Sequence, residues 1–99
     1  MLGVCGMIVG KLEVELFLGE AHTLKDKRRV LKSIIQRIKT KFNVSIAEVG
    51  GQDTWQRAVL GIVCVSNETA QVQSILSNVT NFLALHQHAR VIDVKTEIL

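Results

Sequence analysis

Apolar and polar side chains alternate along several stretches of the chain. The alternation is clear in residues 7–19 and again in residues 89–98. A period of two residues predicts strands with one buried face. A short stretch at 43–49 and an almost wholly apolar one at 56–66 predict two more strands. The pattern therefore predicts four strands.

The period changes to that of a helix in two places. In residues 22–42 and again in residues 67–86, apolar side chains recur every three to four positions and form one stripe. Thr23 has an acidic residue three places later, which is the spacing of a capping box. Ser66 or Asn67 is the expected N-cap of the second helix. The element order is therefore βαββαβ.

The economical packing of this order is a four-stranded antiparallel sheet with both helices on one face, a ferredoxin-like α+β sandwich. A chain of 99 residues with 47% apolar and 21% charged residues is typical of a single globular domain. We expect one domain over residues 1–99, with residues 1–6 as a leader to the first strand.

Cysteine usage and the apolar start favour a cytoplasmic protein without a membrane anchor. Cys5 and Cys64 are far apart and form no CxxC pair. The apolar first ten residues lack a basic preceding region and are too short to span a bilayer. We therefore expect reduced thiols and a cytoplasmic location.

Positive charge is concentrated in the first predicted helix. Residues 24–42 carry a net charge of +7, with Asp26 as their only acid, whereas the whole chain carries +3. The helix pairs like charges at i,i+4 and places cations near its positive N-terminus, and both arrangements are unfavourable without an offsetting anion. A bound phosphate would supply one. The candidate anion- or RNA-binding residues are Lys25, Lys27, Arg28, Arg29, Lys32 and Lys39. The alternative is a solvated face, partly neutralised by acids elsewhere in the chain.

The single tryptophan lies in the predicted hairpin between the second and third strands. Gly50 and Gly51 supply the conformational freedom that such a turn needs. The candidate interaction loop comprises Gln52, Asp53, Trp55, Gln56 and Arg57. Trp and Arg are common anchors of protein interfaces. The alternative is that the indole caps the open end of the sandwich while Asp53 caps the turn or pairs with Arg57.

The third predicted strand is apolar on both faces, which implies cover on both sides. The helices supply one cover, and we expect a second copy of the chain to supply the other through the open sheet face. An exposed apolar patch is the alternative. Stacking of RNA bases on this face is disfavoured, because Glu13 and Glu15 lie in its middle and the third strand has no aromatic residue.

Signals for catalysis and metal binding are weak. Glu13, Glu15, Asp93 and Glu97 could approach one another, but cross-strand pairing with lysines is the better interpretation. His86 forms an HxH with the histidine two residues on, without a third ligand in sequence reach. We assign no catalytic residue, metal or cofactor, and an enzyme is the less favoured interpretation.

Two stretches resemble the YlxP-like family, a bacterial family of unknown function. They are HTLKDKRRVLKSIIQRIKTKF and NVSIAEVGGQDTWQRAVLGIVCVSN. The chain departs from the family pattern at Thr23, where Ser is common, at Asp26, where Glu is common, and at the additional Gly51. The resemblance implies a ferredoxin-like fold and a cytoplasmic bacterial protein, often encoded among translation and ribosome-maturation genes. It implies no established activity.

Three functions follow, in order of preference. The first is a non-catalytic RNA- or ribosome-associated module that binds phosphate through the first helix. The second is an oligomeric protein-interaction adaptor that uses the loop from Gln52 to Arg57. The third is a small-molecule binder or enzyme that uses the region of Asp53, Trp55 and Arg57, in the same loop, at a dimer edge.

Overall fold

The computed structural model describes residues 6–52 and 54–99, so Cys5 and Asp53 lie outside the described residues. The predicted element order is confirmed. The elements are β1 (Ile8–Phe17), α1 (Leu24–Lys41), β2 (Ser45–Gly50), β3 (Arg57–Ser66), α2 (Thr69–Ala84) and β4 (Arg90–Ile98).

The four strands form one antiparallel sheet in the order β2-β3-β1-β4. β1 is therefore central, and Leu12 pairs with Ile62 of β3 on one side and with Thr96 of β4 on the other. The sheet and the two helices together confirm the ferredoxin-like α+β fold.

The core lies between the helices and one face of the sheet. Leu12, Val14 and Leu16 of β1 are fully buried, and they alternate with side chains that are partly or fully exposed. Each such side chain stabilises the fold by about 1.5–3 kcal/mol through burial. α2 comes so close to β1 at Gly10 that a Cβ there would lie 2.9 Å from the Leu76 Cδ1 atom. This approach explains why the strand has no side chain at that position.

The two helices begin differently. Thr23 caps α1 as predicted, because its Oγ1 accepts a hydrogen bond from the backbone N–H of Asp26 at 3.1 Å. The prediction for α2 was wrong, because its N-cap is Glu68, which makes no side-chain cap. Ser66 lies too early to cap the helix, and its Oγ accepts a hydrogen bond from the N–H of Glu68 instead.

The helices cover different parts of the sheet. α1 packs mainly on the edge strand β2, whereas α2 packs on β1, β3 and β4. A groove lies between the two helices and is lined by residues of both. Within the described parts of the chain, no helix is long and apolar enough to cross a membrane.

Candidate nucleic-acid interface

Four cations form a row along the outer flank of α1, the side away from α2. They are Lys25, Arg28, Lys32 and Lys39, and we call them the outer row. Their spacing of three, four and seven residues places them on one flank of a helix. All four are exposed, and none forms an ion pair with a described residue. At 1.5 Å per residue, the row is about 20 Å long.

Arg29 is partly neutralised. Its Nη2 atom lies 3.1 Å from the Asp26 Oδ1 atom, one helical turn back, and its side chain is 77% exposed. An exposed pair of this kind contributes little to stability. Arg29 therefore remains available for an anion, but with a competing carboxylate beside it.

The structure separates Lys27 from the other predicted site residues. Its side chain is 1% exposed. The Nζ atom donates hydrogen bonds to the carbonyl oxygen atoms of Gly51 and Thr54, the latter at 2.7 Å. It also lies 2.9 Å from the Glu48 Oε2 atom. That oxygen accepts no aligned hydrogen bond among the described residues, so the contact is an ion pair. The ammonium group of Lys27 is therefore not available to bind a ligand.

The lysine holds the β2–β3 loop against the first turns of α1. Gly51 adopts a φ of +75°, where L side chains are strained, and its carbonyl accepts a hydrogen bond from the N–H of Thr54 at 3.1 Å. Gln52 is exposed, and its Nε2 donates to the backbone of Glu48 at 3.4 Å. The described residues of the loop are therefore held by backbone geometry and by one buried cation.

The rest of the predicted interaction loop divides into exposed and engaged residues. Trp55 is 49% exposed, so its indole neither joins the core nor projects fully. The Gln56 carbonyl accepts a hydrogen bond from the N–H of Leu18 at 2.7 Å. Arg57 pairs with Glu15 of β1 at 2.9 Å. Asp53 lies outside the described residues.

The open face of the sheet has an apolar half and a charged half. On the β2–β3 side, Val49, Val63 and Val65 are 53%, 39% and 56% exposed. On the β1–β4 side, Lys11 lies opposite Glu97 in the strand register, and Glu13 lies opposite Lys95. Two of the four carboxylates predicted to pair with lysines across strands, Glu13 and Glu97, therefore have lysines opposite them. The prediction was wrong for Glu15 and Asp93, which lie opposite each other, and Glu15 pairs with Arg57 instead.

Several residues of the groove between the helices were missed by the sequence analysis as site residues. Arg37 and Lys41 of α1 line it, as do Phe82 and His86 from α2 and the segment that follows. Burial lowers the pKa of His86, and the nearby charges of His88 and Arg37 lower it further. The available signal was the helical period, which places Arg37 and Lys41 on the flank opposite the outer row.

The described residues contain no group of three His, Cys, Asp or Glu side chains that could hold a metal ion. Cys64 is buried and reduced, and burial raises the pKa of its thiol. A buried thiol with a raised pKa is a poor nucleophile.

Comparison with known proteins places the chain in a family. The family described as "Protein of unknown function (DUF503)" matches residues 9–96. The chain belongs to this family. It is also 46% identical over 76 residues to "Uncharacterized protein YlxP" of Bacillus subtilis (strain 168), a match that covers 77% of this chain and 83% of that protein. The predicted YlxP-like membership is therefore confirmed.

The two motifs that carried the YlxP-like resemblance meet in the structure. Lys27 belongs to the helical motif, and its partners Glu48, Gly51 and Thr54 belong to the strand–loop motif. Their shared contact joins residues of the two motifs that are more than twenty positions apart in the chain.

Proposed function

We propose that this protein is a non-catalytic RNA-binding module, in which the outer row of α1 contacts the phosphates of single-stranded RNA. The observation that carries the proposal is the exposure and alignment of the four outer-row cations. They are exposed, aligned, and without a carboxylate partner among the described residues. Such a row lowers the free energy of binding a polyanion by releasing its condensed counterions.

The ion pairs of the described residues support this assignment. They use Glu15, Glu20, Asp26 and Glu48, and the basic residues that contact these acids all lie outside the outer row. The acids nearest in the chain are therefore engaged elsewhere, and the like-charge repulsion within the row is not offset internally. A bound phosphate backbone would offset it.

Trp55 adds a stacking surface to the same end of the molecule. It directly follows Thr54, whose carbonyl is held 2.7 Å from the Lys27 Nζ atom in the first turns of α1. The half-exposed indole therefore belongs to the loop that Lys27 holds against the first turns of α1, where the outer row begins. An aromatic side chain beside a cationic track is the usual arrangement for binding single strands without sequence readout.

The test is fluorescence anisotropy of a labelled single-stranded RNA at two salt concentrations. Four phosphate contacts predict a slope of about −3 in log K against log salt, hence about a 50-fold loss of affinity for a fourfold rise in salt. The variant Lys25→Gln/Lys32→Gln should lower this slope by about 1.4. The control, Lys11→Gln/Lys95→Gln, removes the same charge from the open sheet face and should change the slope little.

Two further measurements separate this proposal from a protein-adaptor role. Co-sedimentation with ribosomal subunits asks whether ribosomal RNA is a target, and binding should fall at higher salt. Trp55→Ala should weaken RNA binding about tenfold through lost stacking. A salt-independent partner that is lost on Trp55→Ala would support the adaptor instead. Equal RNA affinity of the outer-row and control variants would refute phosphate binding by α1.

We also propose a homodimer through the open sheet face. The supporting observation is the apolar half of that face, where Val49, Val63 and Val65 are substantially exposed. Analytical ultracentrifugation should show a concentration-dependent dimer that Val63→Glu/Val65→Glu dissociates. The control Gln73→Glu, on exposed α2 surface, should leave it intact. A wild-type monomer at every concentration would refute the dimer.

A further inference from the structure

We propose that the groove between α1 and α2 is a second binding site, for a small organic anion with an aromatic or acyl body. The groove has a volume of about 1120 Å³. Its walls come from the two helices, and residues of the segments before α1 and after α2 also line it. Depressions of this size that combine apolar walls with a few polar groups are where small ligands bind.

The floor of the groove is apolar and aromatic. The rings of Phe42 and Phe82 meet edge to face, with centroids 6.0 Å apart and planes at 77°. Both are only partly buried, and Leu85 on the rim is 86% exposed. α1 packs on β2 while α2 packs on the other three strands, so neither helix covers these side chains. An apolar ligand body would remove them from water.

The charges of the groove favour an anion. Two acids line it, and both are engaged: Asp26 pairs with Arg29 at 3.1 Å, and Glu20 pairs with His88 at 2.8 Å. Arg37 and Lys41 also line it, and neither forms an ion pair with a described residue. The lysine and arginine side chains that line the groove, Arg29, Arg37 and Lys41, therefore outnumber its two acids.

One of these cations lies directly over the aromatic floor. The Lys41 Nζ atom is 5.2 Å from the Phe82 ring centroid and 5.9 Å from that of Phe42. A carboxylate, sulfonate or phosphate held by Lys41 would place the attached carbon skeleton against the two rings. The ligand is thus amphipathic, with charge and apolar body close together.

Arg37 also contributes positive potential at the end of the groove where His86 lies. Burial lowers the pKa of His86, and the charges of His88 and Arg37 lower it further, so a proton on His86 is unfavourable. Burial penalises a charge of either sign, whereas the positive charge of Arg37 favours an anion. Arg37 and Lys41, both on the α1 wall, are therefore the partners of the ligand's anionic group.

The groove and the outer row lie on opposite flanks of α1. Val30, Arg37 and Lys41 line the groove, whereas none of the four outer-row cations does. The two sites can therefore be disabled one at a time, and this proposal does not depend on RNA binding.

The probe is 8-anilinonaphthalene-1-sulfonate, an aromatic anion whose fluorescence rises on binding. We expect saturable binding to the native protein, with chemical-shift changes confined to the groove. N-phenyl-1-naphthylamine, which lacks the sulfonate, should bind about tenfold more weakly. Arg37→Gln/Lys41→Gln should weaken sulfonate binding by about tenfold and leave the affinity for the neutral analogue unchanged. The control Lys11→Gln/Lys95→Gln should alter neither.

Three outcomes would overturn the proposal. One is equal affinity for the charged and neutral probes. Another is a shift map centred on the apolar half of the open sheet face. The third is loss of sulfonate binding in the outer-row variant Lys25→Gln/Lys32→Gln, with Arg37→Gln/Lys41→Gln unaffected. Near-ultraviolet circular dichroism of each variant verifies that the probe reports on a folded protein.

Discussion

Replacement of Lys27 by Met tests the buried contact that joins α1 to the β2–β3 loop. Methionine keeps the length and the apolar stem but removes the ammonium group. The change leaves the Glu48 carboxylate without its ion pair and the carbonyls of Gly51 and Thr54 without their donor. Removing one partner of a buried ion pair costs about 3–5 kcal/mol.

The surroundings of the contact make the expected loss of stability smaller than this. Glu48 is 22% exposed, so its carboxylate recovers part of its hydration, and Thr54 lies in an exposed loop where water can reach its carbonyl. We therefore expect Lys27→Met to lower the free energy of unfolding by about 2–3 kcal/mol. For a domain of this size, that corresponds to a fall in Tm of about 10–20 °C.

The assay is urea unfolding followed by far-ultraviolet circular dichroism. The control is Lys25→Met, which removes an exposed charge from the same helical turn and should stay within about 0.5 kcal/mol of wild type. Acrylamide quenching of Trp55 reports on the loop and should increase in Lys27→Met alone. In a double-mutant cycle with Glu48→Gln, the two changes should be non-additive by about 1 kcal/mol or more. A loss below about 0.5 kcal/mol with unchanged quenching would show that the contact does not hold the loop.

Three further outcomes are expected. Gly10→Ala should destabilise the fold by about 1–3 kcal/mol in urea titrations, because the added methyl group clashes with α2; a neutral effect would mean that the helix can move away. His86 has its pKa lowered by burial, His88 and Arg37, so the unfolded chain binds the proton more tightly. The free energy of unfolding should therefore rise with pH from the lowered pKa up to the ordinary value of 6.5, and His86→Gln should flatten this rise. An NMR titration of His86 at or above 6.5 would contradict this. Cys64 should react with a thiol reagent only at the rate of unfolding, because it is buried and burial raises its pKa; fast native-state labelling would refute this expectation.

The fold could be predicted from the sequence because the periodic signals were strong and local. The alternation predicted β1 at residues 7–19, and the strand runs from Ile8 to Phe17. The first helix was predicted at 22–42, and it runs from Leu24 to Lys41. The predicted N-cap of α2 was wrong by one or two residues. Ser66 has a good capping side chain, but its Oγ accepts a hydrogen bond from the N–H of Glu68, before the helix begins.

The site was less predictable because its contacts join distant segments. Lys27 lies on the same helical stripe as Leu31, Ile34 and Ile38, and this period was the available signal for its burial. Its carboxylate partner, Glu48, could not be identified before the position of α1 over β2 was known. The groove was missed because it lies between two helices, and no local sequence pattern shows how far apart two helices pack.

The central position of β1 has a consequence for synthesis. Its two neighbours lie far downstream, since Gly10 pairs with Cys64 on one side and with Ile98 on the other. At about 5–20 residues per second, the ribosome needs on the order of ten seconds to make the chain between Gly10 and its β4 partner. β1 gains its β3 partner first and its β4 partner only at the end of this interval, and until then the four-stranded sheet is incomplete. Its folding is therefore governed by long-range pairing and by how well the nascent chain is protected during that delay.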